Sequence, residues 1–237
     1  MISIINNIIS SNGYQLVDIE LTDKRQNVFL FSPISNSQKE EYFITIQLNE
    51  QSNDSAIELL EDRAEDLFEA IKNSGKVEPY FIKNCTMLIC HEDSLIQRET
   101  IFLIEEDAYN FKKNVITYSN NELIDLEKFL KINNVHEISN FVISEIINEK
   151  NGQSFTAFKS THQTVQNYYS LILKIALKLP FIRYSPSQKE LINLSLEIEK
   201  SFSKQDAMIY KKIIESDVEW TESNIYQKVE KIWGNLT

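Results

Sequence analysis

Three groups of side chains in this sequence have types and spacings that can do chemistry: Asp18 with Glu20, Cys85 with Cys90 and His91, and Glu105-Glu106-Asp107 followed by Phe111-Lys112-Lys113. Asp18 and Glu20 stand two apart in an alternating run, so both carboxylates project from one face of a strand. Restriction-type nucleases hold Mg²⁺ with such a carboxylate and with Asp-x-Lys or Glu-x-Lys on the next strand. No Asp-x-Lys or Glu-x-Lys occurs in the chain, and the nearest approximations are Asp23-Lys24-Arg25 and Glu61-Asp62-Arg63. Cys85 and Cys90 would face opposite sides of one strand and read as ordinary buried thiols. Cys90-His91 is a single pair, and His136 and His162 lie far from it in sequence, so no metal site is expected.

The four glycines, Gly13, Gly75, Gly152 and Gly234, lie far apart. A phosphate-cradling loop needs closely spaced glycines, because only they let backbone amides close around the anion. That excludes a Walker-type loop, a dinucleotide fingerprint and a nucleophile elbow. No catalytic residue and no cofactor is therefore expected. Glu105-Glu106-Asp107 reads as the start of a helical turn over Asp107–Lys113, with the lysines at its far end.

Charge is unevenly spread. Residues 1–119 carry 10 basic and 20 acidic side chains, whereas residues 120–237 carry 14 and 15. The stretch Lys150–Lys189 holds six basic residues and no acidic one. Lys159, Lys174, Lys178 and Arg183 within it are candidate contacts for DNA or an acidic partner. Tyr168 belongs to a helical stripe with Val165, Ile172, Ile175 and Leu179, which points to core instead.

The elements that must position these groups follow from periodicity. Met1–Ile9 suggests a short helix, and Gln15–Leu21, Asn27–Phe31 and Tyr42–Leu48 suggest strands of a small antiparallel sheet. A helix over 55–73 has Ile57, Leu60, Ala64, Leu67, Phe68 and Ile71 on one face, with a Ser55/Glu58 capping box and a Gly75 stop. Its other face is acidic and can dock a basic partner. Cys85–Cys90 and Thr100–Ile104 read as strands, as does Val115–Tyr118. Helices are expected at Glu122–Ile132, Val135–Asn148, Thr161–Leu179, Ser187–Phe202, Asp206–Glu215 and Glu222–Trp233, with a break at Glu149–Lys159. The expected fold class is α/β (α+β): a mixed or antiparallel sheet with helices, then a helical C-terminal region. The corresponding domains are 1–119 and 120–237, which can pack as one unit.

No charged n-region precedes the early apolar residues, and the most apolar helical stretch contains Lys174, Lys178 and Pro180. Two cysteines are too few for a disulfide framework. A cytoplasmic location with no membrane contact is the expectation.

Three motifs in order carry a family resemblance: Tyr42-Phe43-Ile44-Thr45-Ile46 before an acidic helix, Lys83-Asn84-Cys85-Thr86-Met87-Leu88-Ile89, and Ile104-Glu105-Glu106-Asp107 leading into Phe111-Lys112-Lys113. Over roughly residues 40–120 the chain resembles the middle components of bacterial ABC-three-component defence systems, which include the Lamassu type. Ala108 and Asn114 stand where the family pattern leads one to expect proline and an aromatic. The resemblance implies a non-catalytic accessory subunit beside a coiled-coil, SMC-like ATPase and an effector that is often a nuclease, with DNA reached through the complex. It places Glu105, Glu106, Asp107, Phe111, Lys112 and Lys113 at a partner contact. A stand-alone nucleic-acid-binding or regulatory protein, or a degenerate nuclease-like domain, is the alternative.

Overall fold

The computed structural model describes residues 1–19, 25–35, 38–161, 166–184, 194–215 and 221–233. Two compact units emerge, Met1–Ser187 and Gln188–Thr237.

The first unit is built on a five-stranded sheet in the order β1-β2-β3-β4-β5: Tyr14–Val17, Gln26–Pro33, Tyr42–Leu48, Cys85–Glu92 and Lys112–Tyr118. The first three strands pair antiparallel, as hairpin connections allow, and β3-β4-β5 pair parallel. The sheet is therefore mixed, one of the two forms expected, and its first three strands make the antiparallel part. Parallel neighbours require a crossover element between them. Between β3 and β4 that crossover is α2 (Asn53–Glu58), a wide π-helical turn (Leu59–Arg63) and α3 (Ala64–Lys72). Between β4 and β5 it is α4 (Arg98–Glu106).

The β4–β5 crossover corrects the expected strand at Thr100–Ile104. Its β-branched run is helical, with Thr100 and Ile104 buried one turn apart and Phe102 and Leu103 turned outward. Topology overrides the local β preference. Asn53 Oδ1 fixes the start of α4, accepting from the Gln97 N–H at 3.1 Å and from Thr100 Oγ1 at 2.7 Å.

The helix expected over 55–73 begins two residues earlier. Ser52, not Ser55, caps it, with Oγ accepting from the Ser55 N–H at 3.1 Å, and Glu58 instead pairs with Arg25 at 2.7 Å. Ala64, Leu67, Phe68 and Ile71 are buried as expected, but in α2 and at the first residue of the π turn the buried side chains are Ala56 and Leu59 instead of Ile57 and Leu60. The i→i+5 turn inserts one residue, which moves the apolar stripe by one position. That same turn brings Arg63 into the interior, where Nη2 donates to Gln26 Oε1.

Each strand divides its side chains between two cores by its two-residue period. Phe43, Leu88, Cys90 and Ile116 face α1 (Ile2–Ser11), α5 (Asn120–Ile132), α6 (Asn140–Ile147) and α8 (Tyr168–Lys178). Ile44, Ile46, Met87, Ile89 and Val115 face α2, α3 and α4. β4 is buried on both faces, as a central parallel strand should be. Cys85 and Cys90 fall in different cores, as their spacing requires. Buried His91 has both ring nitrogens near carbonyl oxygens, Nδ1 at 3.0 Å from Glu92 O and Nε2 at 3.3 Å from Ser52 O.

The expected break at Glu149–Lys159 is mostly structured. A 3₁₀ turn at Glu149–Gly152 carries Lys150 and Asn151 at φ of 54° and 56°, and α7 (Gln153–Thr161) follows directly. Ile138 and Leu126 join α8 in the core shared with the sheet. The second unit contains α9 (Leu194–Ser201), α10 (Lys204–Glu215) and α11 (Ile225–Trp233). Phe202 and Tyr210 rings meet at 5.2 Å, and none of this unit's residues with described side chains is buried.

Candidate protein-docking surface

Glu105, Asp107, Lys113 and Lys178 converge where β5 forms one edge of the sheet, with α4 on one face and α8 on the other. Glu105 and Glu106 occupy the last turn of α4, where the helix dipole disfavours carboxylates. The expected helical turn over Asp107–Lys113 is thus reversed: the acids end a helix, and no helix follows. Asp107 Oδ1 accepts from the Tyr109 N–H at 3.2 Å, and Asn110 at φ 63° returns the chain into β5.

Cations and donors offset the acids. Lys178 Nζ from α8 reaches both Glu105 oxygens, at 2.6 and 2.7 Å, and Glu105 Oε1 also accepts the Val115 N–H at 2.8 Å. One carboxylate thereby joins helices on opposite faces and caps an outward amide of an edge strand. Asn114 adds to the fastening, donating from Nδ2 to Lys178 O at 2.8 Å.

Lys113 is buried to 2% exposure. Its ammonium donates to Asp107 Oδ1, to Tyr109 O at 2.6 Å and to Phe111 O at 3.3 Å. Phe111 is buried against Phe68 and Phe81 at 5.2 and 6.4 Å between ring centroids. Lys174 donates to buried Glu122 at 2.9 Å, and Glu122 also accepts from Ser170 Oγ at 2.5 Å and caps α5 through the Ser119 N–H. The motif's Phe111 and Lys113 are therefore internal, and Glu105, Lys174 and Lys178 are engaged within the chain. Glu106, Lys112, Lys159 and Arg183 are exposed, Lys159 on α7 and Arg183 beyond α8.

Exposed apolar side chains border these ion pairs. Leu177, between Lys174 and Lys178, is 85% exposed, Tyr109 is 78% exposed and Phe102, one turn before Glu105, is 48% exposed. Large apolar or aromatic groups set among ordered ion pairs are the composition of a protein interface, with anchors inside and charge at the rim. The sequence alone assigns none of the three an interface role: Phe102 falls in an expected strand, Tyr109 in the expected turn over Asp107–Lys113 and Leu177 in the expected helix over Thr161–Leu179. The signal for Leu177 was present: it lies opposite Tyr169, Ile172 and Ile175 on the helical wheel.

Other groups offer less chemistry. Burial pushes the Cys85 thiol well up and the Cys90 thiol up to about 12, so neither is a ready thiolate. Asp18 is exposed and its carbonyl accepts from Lys76, while Glu20 lies outside the described residues, as does His162. Among the described residues no three His, Cys, Asp or Glu side chains group to hold a metal. A surface cavity of about 310 Å³ is lined by Glu149, Lys150, Phe158, Asn167 and Tyr168. Tyr168 Oη donates to Glu149 there at 2.6 Å. No helix of the described residues is long and apolar enough to cross a membrane.

Residues 41–142, from the start of β3 into the first turn of α6, match the family model of the ABC-three component (ABC-3C) system Middle Component 1. The match covers less than half of the 237 residues, and it includes α4, β5 and the acidic and basic motifs between them. The comparisons with curated proteins and with solved structures gave no match.

Proposed function

We propose that the protein is the middle component of an ABC-three-component defence system, a non-catalytic accessory subunit that works by assembly. The observation that carries this reading is the family match over 41–142, which contains the α4–β5 half of the exposed apolar seam. On this reading, Phe102, Tyr109 and Leu177 are anchors for another subunit. Each lies close in sequence to an internal ion pair: Phe102 one turn before Glu105, Tyr109 two residues after Asp107 and Leu177 next to Lys178. The partner is the head region of a coiled-coil, SMC-like ATPase of the Lamassu kind, and the effector is a nuclease or similar enzyme. The subunit then couples DNA sensing by the ATPase to the effector in anti-phage or anti-plasmid defence. ATP, magnesium and bond cleavage belong to the partners, and DNA is reached through them.

A direct nucleic-acid-binding role gains less support. Of the four basic residues offered for it, Lys174 and Lys178 are spent on Glu122 and Glu105.

The test is co-expression with the neighbouring ATPase and effector genes. The tagged protein should carry both through size-exclusion chromatography, and alone it should neither hydrolyse ATP nor cut DNA with Mg²⁺ or Mn²⁺. A chain that stays by itself at micromolar concentration, or nuclease activity abolished by Asp18→Ala, would overturn the proposal.

A further inference from the structure

The two edges of the sheet are finished differently. At β5, Glu105 caps the outward Val115 amide, and α4 and α8 flank the strand. At β1, the hydrogen-bond phase can be read from the ladder. Ile34 N–H donates to Gly13 O at 3.2 Å, which continues the register pairing Tyr14 with Pro33 and Gln15 with Ser32. Bonded pairs alternate along an antiparallel ladder. Gln15 and Val17 therefore turn their backbone groups to β2, while Tyr14 and Leu16 turn theirs to the open edge. Pro33, which has no N–H, stands opposite Tyr14, where that phase needs none. Among the described residues no backbone partner covers the outer side of β1. Leu16 is 58% exposed beside it.

We infer that β1 is a docking edge that accepts an extended segment of a partner subunit as a sixth strand. The chemistry on offer is two N–H groups, two C=O groups and one apolar side chain, which match an extended backbone carrying an apolar residue opposite Leu16. Lys39 supports the platform, with Nζ donating to Asn12 O at 2.7 Å and lying 4.4 Å from the Tyr14 ring centre. A second copy of this chain fits less well. Edge-to-edge pairing would bring together two halves that each carry 20 acidic and 10 basic residues over 1–119. A four-residue strand also buries far less than the roughly 1,200 Å² of a stable dimer. Such an edge fastens a segment of a partner that is held elsewhere as well, and the inference so rests on the middle-component reading.

The experiment is hydrogen exchange on the protein alone and in complex with its co-expressed ATPase and effector subunits, with capture assays on three variants. Assembly should slow exchange at the Tyr14 and Leu16 amides at least about tenfold. Leu16→Pro removes only an outward N–H from an edge strand, so it should keep the fold and weaken capture about tenfold. Leu16→Ala keeps that N–H and should weaken capture less. Gln15→Pro removes a ladder bond and should lower stability, which checks the phase. Complexes that form with Tyr14 and Leu16 exchanging as before, and with Leu16→Pro captured like the parent, would overturn the inference while leaving the middle-component reading intact. A dimer of the protein alone with those amides protected would overturn it in favour of a second copy. A parent chain that captures no subunit would sink the middle-component reading and this inference with it.

Discussion

Lys113 spends its whole donor capacity inside the protein, on Asp107, Tyr109 O and Phe111 O. Removing one partner of a buried ion pair costs about 3–5 kcal/mol, because the remaining polar groups lose their compensation. Asp107 is partly exposed and recovers some hydration, so the low end applies. Lys113→Ala should therefore lower stability by about 3 kcal/mol in chemical denaturation. Lys112→Glu, on the exposed side of the same strand, should stay within about 0.5 kcal/mol of the parent. Equal effects of the two would contradict this assignment. The adjacent lysines looked alike in sequence, and only the strand's two-residue alternation separates them. The cysteines differ in this respect: their spacing alone placed them on opposite faces as buried thiols. Because burial raises both thiol pKa values, neither should react with a thiol reagent at pH 8 in the native protein, and both should react in denaturant. Rapid native labelling would refute that picture.

At the scale of elements, α8 is tied to α5 within one core through Lys174 and to α4 on the other face of the sheet through Lys178. Reversing Lys174 sets a carboxylate against buried Glu122, and reversing Lys178 sets one against Glu105. Each variant should show a lower melting temperature, by an amount corresponding to about 3 kcal/mol for Lys174→Glu. A normal melt for Lys174→Glu would mean that Glu122 is not held as described. Much of this region was legible in sequence: α5, α8 and β4 follow from clear periodicity and apolar runs. Thr100–Ile104 was not, because a short run of β-branched and aromatic residues has the same appearance in a strand and in a helix with one buried stripe. The π turn at Leu59–Arg63 escaped for another reason. A one-residue shift in an apolar stripe leaves both halves looking like ordinary helix.

On the scale of the molecule, a division at residue 119 would cut through a core. Ile143, Leu171, Ile172 and Ile175 share one cluster with Phe43, Leu88 and Ile116. A fragment of residues 1–187 should therefore fold with a cooperative melt, and a fragment of residues 1–119 should aggregate or remain unfolded. A stable 1–119 fragment would show that the sheet needs no C-terminal helices. The division at 119 follows the change to a helical pattern and allows both parts to pack as one unit, and residues Met1–Ser187 form one compact unit.

The proposed function has this protein act by assembly through the exposed seam of α4, β5 and α8. The most direct measurement is capture of the co-expressed ATPase and effector subunits by Tyr109→Asp/Leu177→Asp, read beside the melting temperature of the same variant. Both positions are strongly exposed, so stability should change by less than about 1 kcal/mol. Capture should fall at least about tenfold, as expected when two central anchors are replaced by charges. A variant that melts normally and recovers both partners at the parent level would contradict the claim.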